Sequence, residues 1–392
     1  MHLTSEESIQ DPYPSYVELR QRDGAHWLAV DTAVGGGMWL FSRYSDVSAL
    51  LREATQISKA RAVSEDRTAF DYMMLSTDPP LHRRLRELGA PVFAPDRLTV
   101  LEQQLRARID TILDAALETS ARQGSCDFAR EIALPVPLFV VGFLLGVPEQ
   151  DVNSLREWAD QILLGSDSTV ATVDAAQQRE QCVRQVQSYF VEQLKRDDWP
   201  QGSVLDLLAK RRGEVSQVEA LGLCLMVLLA GYETTVGLLG NGMLALLRHP
   251  EQLQLLRNQP QLVDTAIEEM LRFDSPLQRT TFRVTRGPIE IGTQRLEAGA
   301  QVAALLGAAN RDERQFENPE RFQIDRAPNR HIAFGVGVHR CLGERVARLE
   351  ARLLFSRLIE RTSTVVLAGP LTWWPSTMFR SLRSLPVTLA PR

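Results

Sequence analysis

Apolar residues recur at helical spacing through most of this chain, and the departures from that period mark where other structure is expected. After a proline-bearing entry, residues 12–22 read as a short helix and 44–52 as another. Two short apolar runs, 27–30 and 38–41, flank Gly35-Gly36-Gly37 and predict a hairpin. Residues 59–76 keep no clean period and mix charges with Phe70, Tyr72, Met73 and Met74. Such a stretch suits either the wall of an apolar site or a small satellite core. From 98 to 210 the helical period dominates, with breaks near Gly124, Pro135–Pro137, Pro148, 163–172 and Pro200. Ser216-Gln217-Val218-Glu219 then forms a capping box, and His249-Pro250 a stop. Roughly 33 residues lie between, a helix of about 50 Å. It is apolar on nearly every side, so it should be buried on nearly every side and cross the middle of the protein. Residues 251–257 and 261–273 continue as helices. Beyond Ser275-Pro276 the pattern alternates at 283–284, 289–291 and 301–305, with Gly292 and Gly299 at turns, which predicts a β portion.

Residues 221–247 are also long enough to span a membrane. A carboxylate in mid-span, Glu233, and the lack of basic clusters at either end argue for a buried helix instead. At 392 residues and a net charge of -5 the chain has length for one large domain or several. Its 49 acidic residues outnumber 44 basic ones, which disfavours a nucleic-acid surface. Cys126, Cys182, Cys224 and Cys341 show no C-x-x-C pair, a usage that fits a reducing cytoplasm better than a disulfide framework. The acidic start, Met1-His2-Leu3-Thr4-Ser5-Glu6-Glu7, does not read as a signal peptide.

Four places break the local rules. Residues 334–343, Phe-Gly-Val-Gly-Val-His-Arg-Cys-Leu-Gly, pack glycines around one thiol just ahead of a helix. A loop N–H and the helix dipole there would favour a thiolate, although a lone cysteine in a loop is more often inert. Ala230-Gly231-Tyr232-Glu233-Thr234-Thr235 sets an acid and two hydroxyls inside the apolar helix. Thr234 can bond back to the carbonyl of Ala230, and Gly231 leaves room beside the backbone. Asp78-Pro79-Pro80-Leu81-His82-Arg83-Arg84-Leu85-Arg86 opens a helix with His82 and Arg86 on one face, able to grip a carboxylate or simply to be solvated. Glu269 and Arg272 share a helix face, and Pro319-Glu320-Arg321-Phe322 follows downstream.

Together these resemble the cytochrome P450 family over nearly the whole chain. Phe334, Gly337, Cys341 and Gly343 match its haem-ligand loop, and Ala230 to Thr234 its oxygen-activation motif, with Glu at the acid position. The resemblance implies a mainly α fold with a small β region, the long helix crossing a haem that lies against the Cys-loop helix, in a single domain over 1–392 without a fused reductase or ferredoxin. It implies haem b (iron protoporphyrin IX) with Cys341 as metal ligand. His82, Arg86, Arg283 and His339 would hold the propionates, and Ala230, Phe334 and Gly343 would also contact the cofactor. Glu233 and Thr234 would be catalytic, relaying protons. Glu269, Arg272 and Arg321 would form a buried structural network. Phe70, Tyr72, Met73, Met74, Leu229, Leu277, Thr281 and Met378 would line a substrate pocket, with the 163–172 connection as its lid and residues 378–387 as a last hairpin whose tip, Thr377 to Phe379, reaches it.

The implied activity is a monooxygenase using O2 on a lipophilic small molecule such as a terpenoid, steroid or polyketide, in a protein expected to be a monomer that needs no membrane or nucleic acid. Electrons would come from NAD(P)H through a ferredoxin reductase and a ferredoxin, docking on Arg83, Arg84, Arg340, Arg345 and Arg348. A peroxide-driven peroxygenase, a phenol-coupling or desaturating oxidase, and a non-enzymatic haem-based ligand sensor are the alternatives. The Glu233–Thr234 pair disfavours the first.

Overall fold

The computed structural model describes residues 3–29, 36–60, 68–167, 169 and 172–392. The chain opens with α1 (Glu6–Gln10), α2 (Tyr13–Gln21), β1 (His26–Ala29), β2 (Gly37–Phe41), α3 (Tyr44–Arg52) and β3 (Ile57–Ser58). The helical body follows: α4 (Leu81–Gly89), α5 (Pro95–Gln123), a short β4 (Cys126–Asp127), α6 (Pro135–Leu145), α7 (Glu149–Leu164), α8 (Val173–Gln193) and α9 (Val204–Lys210). Next come α10 (Gln217–Gly231), α11 (Glu233–Arg248), α12 (Pro250–Asn258) and α13 (Val263–Phe273). The remainder comprises β5 (Arg283–Thr285), β6 (Ile289–Ile291), β7 (Gln294–Leu296), β8 (Gln301–Ala304), α14 (Leu306–Ala309), α15 (Glu344–Arg361), β9 (Thr362–Leu367), β10 (Thr372–Trp373), β11 (Leu382–Ser384) and β12 (Pro386–Pro391).

The predicted first hairpin forms, with Trp27 opposite Trp39, and part of its glycine turn lies outside the described residues. Its strand β2 continues in parallel into β8, giving a five-stranded sheet in the order β1-β2-β8-β5-β3. The final hairpin differs from the sequence reading. β11 pairs with β10, while β12 leaves to join β4 and β9. Leu385-Pro386 is therefore a crossing point between two small sheets, and the tip of the β10–β11 hairpin is the segment around Ser376 to Phe379. Residues 59–76, where described, include two single 3-10 turns, Ala69–Tyr72 and Met74–Ser76.

The long helix starts where the capping box put it. Ser216 Oγ accepts from the Glu219 N–H, and the Glu219 carboxylate accepts from the Ser216 N–H at 3.0 Å. Of its 217–248 stretch, 72% is buried inside the protein, as is 67% of Phe128–Leu145, so both are core helices rather than exposed apolar rods. Leu225, Leu239, Met243 and Leu246 are fully buried. Each such side chain contributes about 1.5–3 kcal/mol relative to exposure. The helix is not continuous. Tyr232 (φ -110, ψ -47) ends α10, and the ladder resumes at Val236, whose N–H reaches the Tyr232 carbonyl at 2.8 Å.

Beside α13 lies a closed charge network. Arg272 and Glu269 are both fully buried and joined by two bonds of 2.7 and 2.9 Å. The second guanidinium on Glu269 belongs to Arg326, at 3.1 Å, and not to Arg321. Arg321 is exposed and enters only through its main-chain carbonyl, which accepts from Arg272 at 3.2 Å. The bend after Arg321 carries its side chain outward and brings Arg326 back onto α13.

Candidate active site

The Cys341 loop is held by its own backbone. The Cys341 N–H donates to the Phe334 carbonyl at 2.9 Å, and Arg340 N–H to the Gly337 carbonyl at 3.1 Å. Gly337 has φ +79, and a Cβ there would lie 2.5 Å from the Leu51 carbonyl oxygen. Only glycine allows the loop to sit this close to the end of α3. Gly343 caps α15, so Cys341 stands just ahead of that helix. It is the one exposed cysteine of the four. Desolvation by the surrounding protein pushes its thiol pKa up, while the hydrogen bond from the Gly343 N–H pulls it down. The net direction is upward, against the expectation that the loop alone favours a thiolate. A bound metal's positive charge is what would reverse it.

Around this loop the structure gathers bases. Arg86 Nη1 donates to the Arg340 carbonyl at 2.8 Å, tying α4 to the loop one residue before the thiol. The His82 and His339 rings meet edge to face with centroids 4.4 Å apart. Burial, then Arg283, His82 and Lys59, push His339 down to about 3. Burial pushes Arg283 down to about 10, and its Nε is buried with no hydrogen-bond partner. Lys59 is held down to about 7 by burial and by Arg283. The carboxylate that opposes them, Asp78, is already engaged by the Lys59 N–H at 2.9 Å and by Arg286 at 2.7 Å. A set of basic groups that depress one another, with a donor left over, fits a ligand carrying more than one negative charge, such as the two propionates of haem.

Lys59 was not identified from the sequence. It falls in the segment without a period, and nothing local links it to the bases far downstream. Its ammonium bonds Thr281 Oγ1, which joins Thr281 to this cluster.

At the break in the long helix, Thr234 Oγ1 donates to the Ala230 carbonyl at 3.3 Å, the back-bond expected from the sequence. Gly231 has a different purpose from the one expected. A Cβ there would meet Val141 Cγ2 at 2.7 Å, so the missing side chain lets α6 close on α10. Tyr232 is fully buried and its hydroxyl donates to Asp160 of α7. Glu233 accepts from Ser381 Oγ. Burial, reinforced by the Asp160 charge, raises Glu233 to about 7, while the Ser381 bond opposes the rise. Asp160 is itself pushed up by burial, although it accepts from Tyr232 and pairs with Arg156 at 2.8 Å.

Glu233 and Asp160 border a groove of about 840 Å³ that also touches Leu134, Phe143, Arg156 and Arg383. None of its lining residues comes from the Cys341 loop or the basic cluster. Glu233 therefore faces a groove separate from those groups. Asp160, Tyr232 and Ser381 were missed in the sequence because their only signal is tertiary.

The predicted pocket residues divide. Met73 and Met74 are buried in the main core rather than in a small satellite one, and Met74 packs within reach of α4 and α10. Phe70 lies under the Arg179 guanidinium of α8 at 5.2 Å, and Leu229 is buried on α10. Tyr72 is half-buried and stacks its backbone on Gly222 of α10. Leu277 and Met378 are brought together. The Gln278 N–H donates to the Met378 carbonyl at 2.8 Å, and Leu277 bridges Phe379.

Comparison with known proteins agrees with this architecture. Residues 18–368 match the family model described as Cytochrome P450. The chain is 36% identical to the cytochrome P450 monooxygenase PikC of Streptomyces venezuelae, over 96% of this chain and 91% of that protein. It is 35% identical to the biotin biosynthesis cytochrome P450 of Bacillus subtilis (strain 168), over 98% of each. It is 36% identical to the vitamin D(3) 25-hydroxylase of Pseudonocardia autotrophica, over 98% of this chain and 95% of that one. Among solved structures, P450BioI in complex with hexadec-9Z-enoic acid ligated acyl carrier protein superposes with TM-score 0.89 at 34% identity, covering 98% of this chain and 100% of that one. Myxobacterial CYP267B1 in complex with myristic acid does so with TM-score 0.90 at 32% identity, covering 98% of each. With its cysteine loop, its basic cluster and its broken central helix in one fold, this chain belongs to the cytochrome P450 monooxygenase family.

Proposed function

We propose that this protein is a haem b monooxygenase for a lipophilic small molecule, with Cys341 as the iron ligand. The observation that carries the reading is the under-paired set Lys59, His82, Arg283 and His339, linked through Arg86 to the loop that presents an exposed thiol. When bound, thiolate-ligated iron porphyrin supplies the oxygen activation and the oxidising power. The remaining steps belong to the chain. Arg86, Arg283 and Lys59 would neutralise two carboxylates that would otherwise be costly to bury, and the His82 and His339 imidazoles, whose protonation burial disfavours, would hydrogen-bond them.

Glu233, raised to about 7, both accepts and releases a proton near neutral pH. Its carboxylate edges the groove, so water there can recharge it, and Ser381 holds Oε1 in place. Thr234 commits its hydroxyl hydrogen to Ala230 by a long bond and keeps its lone pairs open on the exposed side of the break. A proton passing from Glu233 through water to Thr234 Oγ1 would be delivered at that face.

Relatives named for biotin biosynthesis, vitamin D(3) 25-hydroxylation and polyketide biosynthesis support a lipophilic substrate in specialised metabolism. Ferredoxin, reduced by NAD(P)H through its reductase, is the proposed donor. Of the arginines expected to meet it, Arg84 pairs with Glu219, Arg83 with Glu87, and Arg340 and Arg348 share Glu344. Arg345 is exposed and forms no ion pair among the described residues, so it is the cation most available to an acidic partner.

The test is the reduced carbon monoxide spectrum. The wild type is expected to show the red-shifted band of a thiolate-ligated haem, and Cys341→Ser to lose it while still binding haem. A Cys341→Ser protein that kept the band would overturn the assignment. Turnover with ferredoxin, but not with hydrogen peroxide, separates the monooxygenase from the peroxygenase reading.

A further inference from the structure

Asp167, just beyond α7, is 1% exposed and ringed by donors from three separate segments. Oδ1 accepts from Arg279 Nη2 at 3.0 Å and from Thr169 Oγ1 at 2.6 Å. Oδ2 accepts from Ser376 Oγ at 2.8 Å, the Thr377 N–H at 2.8 Å and the Met378 N–H at 3.1 Å. Arg279 is itself buried, and its Nη2 also reaches Thr377 Oγ1 at 3.4 Å. The hairpin tip and the extended segment between α13 and β5 are sewn together, since the Arg380 N–H donates to the Pro276 carbonyl at 2.7 Å.

The carboxylate thus clips a third body onto that pair. α7 and α8 form one packed unit. Arg179 of α8 bonds Ser166 Oγ at 3.0 Å, and a Cβ on Gly165 would sit 2.5 Å from the Ala175 carbonyl. The same Arg179 lies over Phe70. An ionised, fully hydrogen-bonded carboxylate is a costly thing to bury merely to end a helix. Here its donors fix where the backbone of Met378, and through it Leu277, can lie.

We infer that Asp167 is a positioning residue for substrate: it locks the Ser376–Met378 tip to the α7–α8 unit and thereby sets which molecules enter and how long they stay. This rests on the reading that Leu277 and Met378 wall the substrate cavity. The aspartate touches no substrate itself; it acts through the tip.

The experiment uses the haem-loaded protein and two probes, imidazole and the bulky azole clotrimazole, followed by stopped-flow absorbance, together with amide hydrogen exchange. In Asp167→Asn, clotrimazole dissociation is expected to quicken roughly 10-fold while imidazole stays within about 2-fold, because tip mobility appears in koff for large ligands. Exchange at Thr377 and Met378 should rise in parallel, and Asp167→Glu should restore part of both. Ser376→Ala, which removes one donor and leaves the ion pair, should shift both in the same direction by less, and serves if Asp167→Asn does not fold. Unchanged clotrimazole dissociation together with unchanged exchange at 377 and 378 would overturn the proposal. Failure of imidazole to perturb the haem spectrum of the wild type would instead count against the haem reading, and the exchange data would still decide the anchor.

Discussion

The buried charge clusters around Glu269 and around His339 are built on opposite principles. Around Glu269 every charge is answered. The carboxylate receives Arg272, Arg326, the Gln323 N–H and Asn329, and Arg272 spends its remaining donors on the carbonyls of Asn310, Pro319 and Arg321. Around His339 the basic groups depress one another, and Arg283 Nε has no partner. The first cluster is complete as protein; the second becomes complete with an anion. Saturation, rather than burial, distinguishes a structural lock from a ligand cradle.

The contrast breaks most visibly at Glu269. Glu269→Ala leaves two buried guanidinium groups unanswered, and about 3–5 kcal/mol of stability should be lost, whether or not haem is bound. Denaturant unfolding of both forms checks this. Arg283→Ala should do the reverse. It removes a cation that the protein alone does not satisfy, so the haem-free stability should hold or rise slightly. Haem affinity should fall by about 1.5–3 kcal/mol, the loss expected for hydrogen bonds to a charged group. Haem titration beside thermal unfolding of the haem-free protein separates the two effects. Equal destabilisation by both substitutions would erase the distinction.

Lys59 sharpens the comparison through pH. Its folded pKa, about 7, lies below the usual lysine value. Between about 7 and 10 the unfolded chain therefore binds a proton that the folded chain does not, and stability rises with pH through that window. Haem-free protein should show this rise, and Lys59→Met should flatten it. With the propionates bound, the ammonium gains counter-charges and the slope should shrink.

The sequence carried most of the fold, since period, capping box and glycine spacing are local signals. The capping box at Ser216, the first hairpin and the Thr234 back-bond all appear where spacing placed them. What it could not carry were choices made by tertiary neighbours. Whether Arg321 or Arg326 reached Glu269 depended on how one bend turned. Gly231 looked like a clearing until Val141 was seen to fill it. Met73 and Met74 were compatible with core and with pocket wall, and packing from α4 and α10 assigned them to core. Lys59, Ser381 and Asp167 act through partners more than a hundred residues away, and Asp160 through Tyr232 and Glu233 seventy residues on; no periodicity encodes such contacts.

The smallest structural effect, and the most informative for chemistry, is expected at the helix break. Glu233 is an acid with its folded pKa raised to about 7, so the folded chain holds a proton there that the unfolded chain releases, and stability falls as pH rises from about 4.5 to 7. Glu233→Gln should remove that fall and slow proton delivery by about 100-fold or more. Thr234 is a half-buried hydroxyl with one long bond, so Thr234→Ala should change stability by no more than about 0.5 kcal/mol. Its effect should appear in partition: NAD(P)H consumption continues while product per NAD(P)H falls several-fold. Two adjacent side chains would then separate cleanly, one governing how fast protons arrive and the other where they go. If Thr234→Ala left product yield per NAD(P)H unchanged, the hydroxyl would be only a cap on the broken helix, and Glu233 would have to deliver protons by another route.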